Sequence, residues 1–357
     1  MKKILYIVAT QYDNMGDLLI NKCLVDELTV YGHVYLDTKK VPEQFKRILL
    51  EHENVFELST ISKISLKGKG LFLLPFVKGF KFDYMFKSPG PFGGSITLNQ
   101  KIRGYIFYLI FWIMKLKGVK SFLIGNDFII DSVFDKKIVK VYESVLEGIF
   151  VRSHHNVESL KKFGVKKVSY SPDLCFMMKV DLQNSIKTRV GISFRDMDDE
   201  SSIKVRKAVE IFVNYFSEKK VGIDIFYQVE RDRAFNLALY NEFENEFVVF
   251  RNEVLSFEER DFYLDKSVLL SNRLHVLLLG QMYECLPLAL LYGHSKTKKI
   301  KDIYNTLGMD NFVFSSIQTS DLVSYDVIYD SLVLHIKEVN RREMKLFHSC
   351  LKLIFKA

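Results

Sequence analysis

An arginine and a histidine interrupt an apolar segment in the second half of the chain. The stretch SNRLHVLLLG, residues 271–280, places Arg273 and His275 between two runs rich in leucine and valine. Positively charged side chains at such a point can bind an anion. Because the two residues are two positions apart, they do not share a helix face. They could converge only on a ligand that lies beyond a helix end.

The local pattern predicts that this pair stands at a helix N-terminus. If residues 268–270 form a strand, Ser271 or Asn272 is a suitable N-cap for a helix that runs to about Met282. A cation in the first turn opposes the helix dipole by about 0.3–1 kcal/mol. A bound anion would remove this conflict, because free backbone N–H groups also attract it. The alternative, which stays open, is an arginine paired with a carboxylate and a histidine packed in the core.

A second polar segment follows the first apolar run of the chain. In QYDNMGDLLI, residues 11–20, Gly16 permits a tight turn and Asp17 can cap the helix that follows. The segment has neither the GK[ST] of a P-loop nor a GxGxxG pattern. It is either part of a ligand site or a plain connection between a strand and a helix.

Two further segments place glycines or an arginine at strand ends. SPGPFGGSI, residues 88–96, has three glycines, which permit close approach of the backbone to a ligand or a crowded turn. In VRSHHNVESL, residues 151–160, Arg152 ends a strand and Ser153 can cap the next helix. Three more charged residues follow strands of the second half and are interpreted as solvated loop charges: Arg195, Asp232 and Lys296.

Short β-rich apolar runs alternate with helix-like segments along the whole chain. This alternation predicts parallel sheets covered by helices on both faces, with ligands bound beyond the carboxyl ends of the strands. A polar segment at 181–188 separates the two series. We therefore predict α/β domains at residues 1–180 and 181–340, a cleft between them, and a basic amphipathic C-terminal helix at 341–357. The predicted strands are 4–9, 33–37, 82–86, 121–125, 148–152, 189–194, 221–227, 247–250, 267–271 and 286–292.

Composition narrows the classes of function. The chain has 357 residues and a net charge of +8, which suggests an anionic partner. Its basic residues are scattered, so nucleic acid is not expected, whereas an anionic substrate or a membrane surface is. Four widely spaced cysteines without a CxxC pair indicate neither a metal site nor a redox motif, and favour a reducing compartment.

Two apolar segments with basic flanks bear on membrane contact. Residues 105–120 and 341–356 could rest on an anionic membrane surface. The preferred interpretation is that the first is a core helix and that the second packs across the first domain. The longest apolar run, at 105–114, is far shorter than the roughly 20 residues of a membrane-spanning helix. We expect a cytoplasmic protein that can touch the inner face of the cell membrane.

Together these segments resemble the polysaccharide pyruvyl transferase family. The SNRLH block at 271–275 is the most specific part of the resemblance. Two positions depart from the family pattern: Pro91-Phe92 interrupts the glycine loop, and Asn272 replaces the Ser or Thr expected before Arg-Leu-His. The other motifs occur in the family's order: NMGD at 14–17, GPFGG at 90–94, VRS at 151–153, SPD at 171–173, LLYGHSK at 290–296 and LGMD at 307–310.

The resemblance implies a glycosyltransferase-B-like (GT-B-like) fold with two Rossmann-like domains. It implies transfer of pyruvate from phosphoenolpyruvate to two hydroxyls of a sugar, in a surface polysaccharide or its lipid-linked precursor. The products would be a cyclic ketal and phosphate, and neither a metal nor another cofactor is required. Arg152 and His275 would be catalytic, with His275 as general acid. The phosphoenolpyruvate site in the second domain would comprise Arg152, Arg273, Leu274, His275 and Lys296, and the saccharide site in the first domain Asn14, Gly16, Asp17, Gly93 and Gly94.

Two other classes of function compete with this one. A glycosyltransferase with a nucleotide-sugar donor would need a base-stacking site and a ribose-binding acid, for which Glu258 and Glu259 are candidates. A non-catalytic paralogue that binds saccharide would tolerate loss of Arg152 or His275.

Overall fold

Each half of the chain is built around its own parallel sheet. The computed structural model describes residues 1–61, 81–94, 97–183, 185–196, 199–292 and 295–356. The first unit comprises Met1–Tyr12, Asp17–Met177 and Leu346–Ala357, and the second comprises Asp13–Gly16 and Met178–Lys345.

The sheet of the first unit has the strand order β3-β2-β1-β4-β6-β7-β8, and β5 pairs with β6 beyond the end of β4. Its described strand pairs are parallel. The strands are β1 (Lys2–Ile7), β2 (Gly32–Asp37), β3 (Val55–Glu57), β4 (Tyr84–Lys87), β5 (Gly90–Gly93), β6 (Lys120–Ile129), β7 (Gly148–Val151) and β8 (Val168–Tyr170). The helices are α1 (Met15–Thr29), α2 (Glu43–Leu49), α3 (Leu98–Leu116), α4 (Val133–Val145) and α5 (His154–Lys162).

Burial of the central strands explains why their sequences are continuous apolar runs. Leu5 and Ile7 of β1, Met85 of β4 and Leu123 of β6 lie in one buried core cluster. Helix α3 contributes Phe111 to the same cluster. A parallel sheet covered on both faces has no solvated side, so its strands lose the alternation of apolar and polar residues.

Strand β5 is formed by the glycine loop that the sequence placed outside the sheet. Gly90 and Gly93 have positive φ angles of 123° and 93°. A Cβ on Gly93 would stand 2.2 Å from the carbonyl oxygen of Ile129, so this strand needs glycine to pair with β6. The backbone conformation, rather than a side-chain pattern, makes this segment a strand.

The sheet of the second unit has the strand order β11-β10-β9-β12-β13-β14 and parallel pairing between neighbours. The strands are β9 (Arg189–Ser193), β10 (Gly222–Ile225), β11 (Val248–Phe250), β12 (Lys266–Ser271), β13 (Leu286–Leu290) and β14 (Val313–Phe314). The helices are α6 (Asp199–Glu218), α7 (Arg233–Phe243), α8 (Leu274–Met282), α9 (Ser295–Leu307), α10 (Thr319–Val327) and α11 (Tyr329–Lys356).

Helix α11 starts earlier than the predicted segment at 341–357. It is continuous from Tyr329 to Lys356, and its residues from Leu346 onward belong to the first unit. There Phe347 and Leu351 are fully buried, and the ring of Phe355 stacks on Tyr31 at a centroid distance of 4.0 Å. The apolar side of this segment is therefore used in packing. Among the residues that the structure describes, no helix is long and apolar enough to cross a membrane.

Helix α8 packs so closely on β12 that it contains a glycine at the contact. A Cβ on Gly280 would lie 1.9 Å from Cδ1 of Leu269, which is fully buried and cannot move aside freely. In contrast, a Cβ on Gly104 in α3 would meet its neighbours at 3.6–3.7 Å, which is ordinary contact.

We predict that Gly280→Ala lowers the free energy of unfolding by about 1–3 kcal/mol, because it overpacks this contact. Gly104→Ala is the matched control and should raise it by up to about 1 kcal/mol, since alanine is favoured within helices. Urea titrations followed by circular dichroism measure both changes. Equal stabilisation by the two substitutions would contradict the close packing of α8.

Candidate functional site

The loops after the two central strands of the second sheet are tied to each other. The Ser271 hydroxyl, at the end of β12, donates to the carbonyl of Ser193 at the end of β9. The Asn272 side-chain oxygen accepts a hydrogen bond from the Arg195 backbone N–H at 2.8 Å. These bonds fix the position of the chain at the carboxyl edge of the sheet, where ligands bind in this class of fold.

A buried ion pair stands at this edge. Arg273 pairs through Nη2 with Asp232, whose side chain is buried and follows β10. The other oxygen of Asp232 accepts from the Asp196 backbone N–H at 3.3 Å, and Asn236 donates to the Asp232 carbonyl at 2.8 Å. The interpretation of Asp232 as a solvated loop charge is therefore wrong, because its partners come from segments distant in the sequence.

A second arginine, Arg195, lies within electrostatic reach of the same carboxylate, so positive charge is in excess here. Burial, followed by the proximity of Arg273, lowers the pKa of Arg195 to about 10, while Asp232 acts in the opposite direction. Burial also lowers the pKa of Arg273, again against Asp232. Both guanidinium groups are charged at neutral pH, as arginine side chains in proteins are. Their Nε atoms are buried and have no hydrogen-bond partner within the described part of the chain. Arg195 is thus half-buried at the site rather than a solvated loop charge.

Helix α8 begins at this point, as the sequence predicted, but without the predicted cap. Its N-cap residue is Arg273, and no side chain caps the helix. Ser271 accepts from the Arg273 backbone N–H at 3.0 Å, and Asn272 is used by Arg195, so both predicted caps serve the strand ends instead. The first turn of any helix offers backbone N–H groups that have no intrahelical acceptor. Together with the two guanidinium groups they form a set of donors suited to an anion.

His275 lies in the first turn of α8 and packs against a glycine of the same unit. A Cβ on Gly16 would stand 2.1 Å from its Nδ1, so the imidazole lies directly on the Gly16 backbone. The Gly16 N–H donates to the Asn14 side-chain oxygen at 3.0 Å. The structure thus brings three predicted site residues together, while Leu274 is an apolar residue of the buried helix.

The other residues predicted on the acceptor side have local roles in the structure. Asp17 accepts from the Thr10 hydroxyl at 2.6 Å and from the Gln11 N–H at 3.2 Å, which fastens the loop after β1. It does not cap α1, which begins two residues earlier. The Gly94 N–H donates to the Ile129 carbonyl at 2.9 Å, beside Gly93, so both glycines extend the sheet edge. Lys296 falls in the first turn of α9, and its side chain lies outside what the structure describes.

Arg152 is enclosed in the first unit by two carboxylates. Its side chain is 1% exposed and pairs with Asp173 at 2.7 Å and with Asp127. Burial opposes and the two carboxylates favour its charged form, and the net effect raises its pKa. Ser153 caps α5 through the Asn156 N–H at 3.1 Å, as predicted. The role of Arg152 as an anion ligand stays a prediction that this geometry does not favour, because the charge is already matched.

The candidate ribose-binding acids do not form a recognisable subsite. Glu259 accepts from the backbone N–H of Ser256 at 3.1 Å and from its hydroxyl at 2.8 Å, and it also pairs with Arg251. These bonds close the loop after β11. Glu258 is exposed. Within the described residues, no group of three or more His, Cys, Asp or Glu side chains is arranged to hold a metal ion.

Comparison with known proteins identifies the fold. No protein-family profile matches this chain, and no curated protein matches it. A UDP-GlcNAc 2-epimerase from Neisseria meningitidis, bound to UDP-GlcNAc, superposes with a TM-score of 0.61 at 9% identity and covers 98% of this chain and 100% of its own. The Anabaena protein HepE, in complex with UDP and glucose, gives 0.58 at 10% identity, and MurG from Acinetobacter baumannii gives 0.50 at 12% identity. Each of these two matches covers 100% of both chains.

These similarities confirm the predicted fold and correct the predicted activity. The chain has the GT-B fold, with two α/β units built on parallel sheets. The assignment as a polysaccharide pyruvyl transferase is wrong, since the similar solved structures include UDP-GlcNAc 2-epimerases and an O-GlcNAc transferase rather than pyruvyl transferases. At these low identities the similarity establishes the fold alone.

The enclosure of Arg152 gives a test of its role. We predict that Arg152→Met lowers the free energy of unfolding of the first unit by about 3–5 kcal/mol, because two carboxylates are left buried without a cation. The triple variant Arg152→Met/Asp127→Asn/Asp173→Asn should recover most of this loss. Trp112, the single tryptophan of the chain, lies in α3 of the first unit, so its fluorescence during urea titration reports the change. An Arg152→Met variant as stable as the unmodified protein would instead point to a ligand-binding role.

Proposed function

We propose that the protein is a glycosyltransferase that uses a nucleotide-sugar donor, and that the second unit holds the donor's phosphates. The observation that carries the proposal is the pair of neighbouring arginines, half-buried Arg195 and buried Arg273, of which Arg273 is ion-paired with Asp232 and Arg195 lies within its electrostatic reach. This group has a net positive charge and buried N–H donors at the uncapped N-terminus of α8.

A diphosphate suits this set of donors better than a carboxylate alone. Arginine side chains bind phosphate oxygens through two parallel N–H groups, and a helix N-terminus adds backbone donors and a favourable dipole. Asp232 pairs with one nitrogen of Arg273 and so orients the guanidinium group. The remaining N–H groups of Arg273 would bind the ligand. The solved structures in complex with UDP or UDP-GlcNAc share this fold and support the choice of ligand.

The same groups provide the chemistry of glycosyl transfer. The reaction breaks the bond between the sugar C1 and the phosphate oxygen, forms a bond from C1 to the oxygen of an acceptor hydroxyl, and releases the proton of that hydroxyl. Negative charge develops on the departing nucleoside diphosphate, and donors already fixed in place stabilise that charge most in the transition state. Arg195, Arg273 and the first turn of α8 would act on the leaving group. His275, held against the Gly16 backbone, would contact the sugar portion of the donor.

Calorimetry with UDP and UDP-GlcNAc tests the donor site. We predict that Arg195→Gln and Arg273→Gln each weaken Kd by roughly 10- to 150-fold, since a hydrogen bond to a charged group contributes about 1.5–3 kcal/mol. Arg189→Gln is the matched control. Arg189 lies at the amino end of β9, the far edge of the same sheet, and its partner Asp224 keeps Lys266 at 2.9 Å. This variant should bind UDP with unchanged affinity.

The same titration distinguishes the alternatives. Binding of phosphoenolpyruvate but of no uridine nucleotide would overturn the proposal. If UDP-GlcNAc binds, nuclear magnetic resonance of the sugar distinguishes glycosyl transfer from epimerisation. Release of UDP in the presence of a saccharide mixture supports transfer. Inversion of the sugar at C2 without an acceptor would instead assign an epimerase.

A further inference from the structure

Helix α3 exposes apolar side chains on the face turned away from the core. Its inner side is buried through Ile110, Phe111 and Met114. On the other side six large apolar residues have exposed fractions between 42% and 72%. At about 100° per residue they fall within one sector of about 120°, so they share one stripe of the helix: Leu98, Ile102, Tyr105, Ile106, Trp112 and Leu116. We call this stripe the α3 face.

The α3 face is unusual because helices of a surface layer normally expose polar residues on that side. The sequence interpretation of 105–120 as a core helix holds for the inner side alone. A continuous exposed apolar patch on a protein marks a contact surface for another molecule. Burying such side chains contributes about 25 cal/mol per Å² of apolar area removed from water.

Charge around the α3 face indicates the kind of partner. Residues 98–120 contain five basic residues and no acidic one: Lys101, Arg103, Lys115, Lys117 and Lys120. Arg103 and Lys115 are exposed, and Lys115 donates to the Ser144 carbonyl at 2.6 Å. A helix that is apolar on one face and lacks acidic residues is complementary to an anionic surface that is itself apolar below its charges.

Two aromatic residues with polar atoms lie within the stripe. Tyr105 packs edge-on against Phe134 at a centroid distance of 5.4 Å and remains half-exposed, and Trp112 is also exposed. Tryptophan and tyrosine are enriched at the boundary between lipid headgroups and acyl chains, because they have an apolar body and a polar atom. This composition is compatible with a lipid surface, and the basic residues without acidic ones favour an anionic lipid as the partner.

We propose that the α3 face docks the protein on an anionic lipid bilayer. The helix would lie in the interface, with Ile102, Trp112 and Leu116 among the acyl chains and the basic residues at the headgroups. A helix in this position does not span the bilayer. The proposal is independent of the donor site, since it rests on the first unit alone.

Trp112 allows a direct test, because it is the single tryptophan of the chain. The full-length protein is mixed with vesicles of phosphatidylcholine that contain 30% phosphatidylglycerol, about a third of the lipid charged. We expect a blue shift of emission, protection from acrylamide, and quenching by brominated acyl chains. Pure phosphatidylcholine vesicles should give weak binding, and high salt should reverse binding to the anionic vesicles.

Variants that keep Trp112 identify the surface. Ile102→Gln/Leu116→Gln should reduce partition into anionic vesicles by at least about tenfold, through loss of apolar contact. Lys101→Gln/Arg103→Gln should reduce it about fivefold per charge. The matched control is Ile203→Gln/Leu334→Gln, which removes two exposed apolar residues of the second unit and should bind like the unmodified protein.

Two outcomes would overturn the proposal. One is unchanged Trp112 emission and acrylamide quenching at millimolar anionic lipid. The other is a blue shift that appears without lipid as the protein is concentrated, together with a dimer in sedimentation, which would assign the α3 face to a second copy of the chain. Circular dichroism of each variant establishes that the fold is retained.

Discussion

The charge balance around two neighbouring guanidinium groups, one buried and one half-buried, is the constraint on which the carboxyl edge of the second sheet depends. Arg195 and Arg273 lie at the ends of the central strands, and Asp232 compensates only part of their charge. Burying this imbalance costs free energy, because a charge in a low-dielectric site needs a partner. The hydrogen bonds between the ends of β9 and β12 hold the arginines in place against that cost. The proposed anionic ligand would supply the missing negative charge, so the same groups would determine both the stability of this edge and the binding of the ligand.

In the first unit, the charge of an arginine at a strand end is balanced by neighbouring carboxylates. Arg152 also stands at a strand end beside a helix start, but Asp127 and Asp173 enclose it. One cation against two carboxylates leaves no positive charge for an anion. Two arginines in similar sequence contexts thus differ in charge balance, because Arg152 pairs with two carboxylates and Arg273 with one.

The sequence predicted those elements that side-chain pattern determines. Apolar runs located β1, β9 and β12, and the polar break after β12 located the start of α8. Strand β5 was missed because its pairing depends on glycine backbone conformations, which no apolar pattern reveals. The sequence next to Asp232 did not reveal that its side chain is buried, because its partners come from other parts of the chain.

The mistaken activity has a physical origin. Several motif residues that suggested it, among them Asp17, Gly93 and Asp173, fasten loops and strand ends in the first unit. Residues of this kind hold the loops in place at the carboxyl edge of a parallel sheet. They therefore indicate the fold more reliably than the ligand. Chemistry has to be inferred from groups whose charge the protein itself does not balance. The sequence singled out Arg273, but only the structure shows which carboxylates lie beside it.

Helix α11 has a consequence for how the protein is made. The first unit takes its last helical segment from the end of the chain, where Phe355 stacks on Tyr31 and lies 4.6 Å from the ring of Tyr84. During synthesis from the N-terminus these two tyrosines emerge early, whereas their aromatic partner emerges after the entire second unit. This part of the N-terminal sheet therefore stays uncovered until helix α11 has been synthesised. In many proteins the first domain completes its fold before the second is made. The first unit of this chain cannot follow that order.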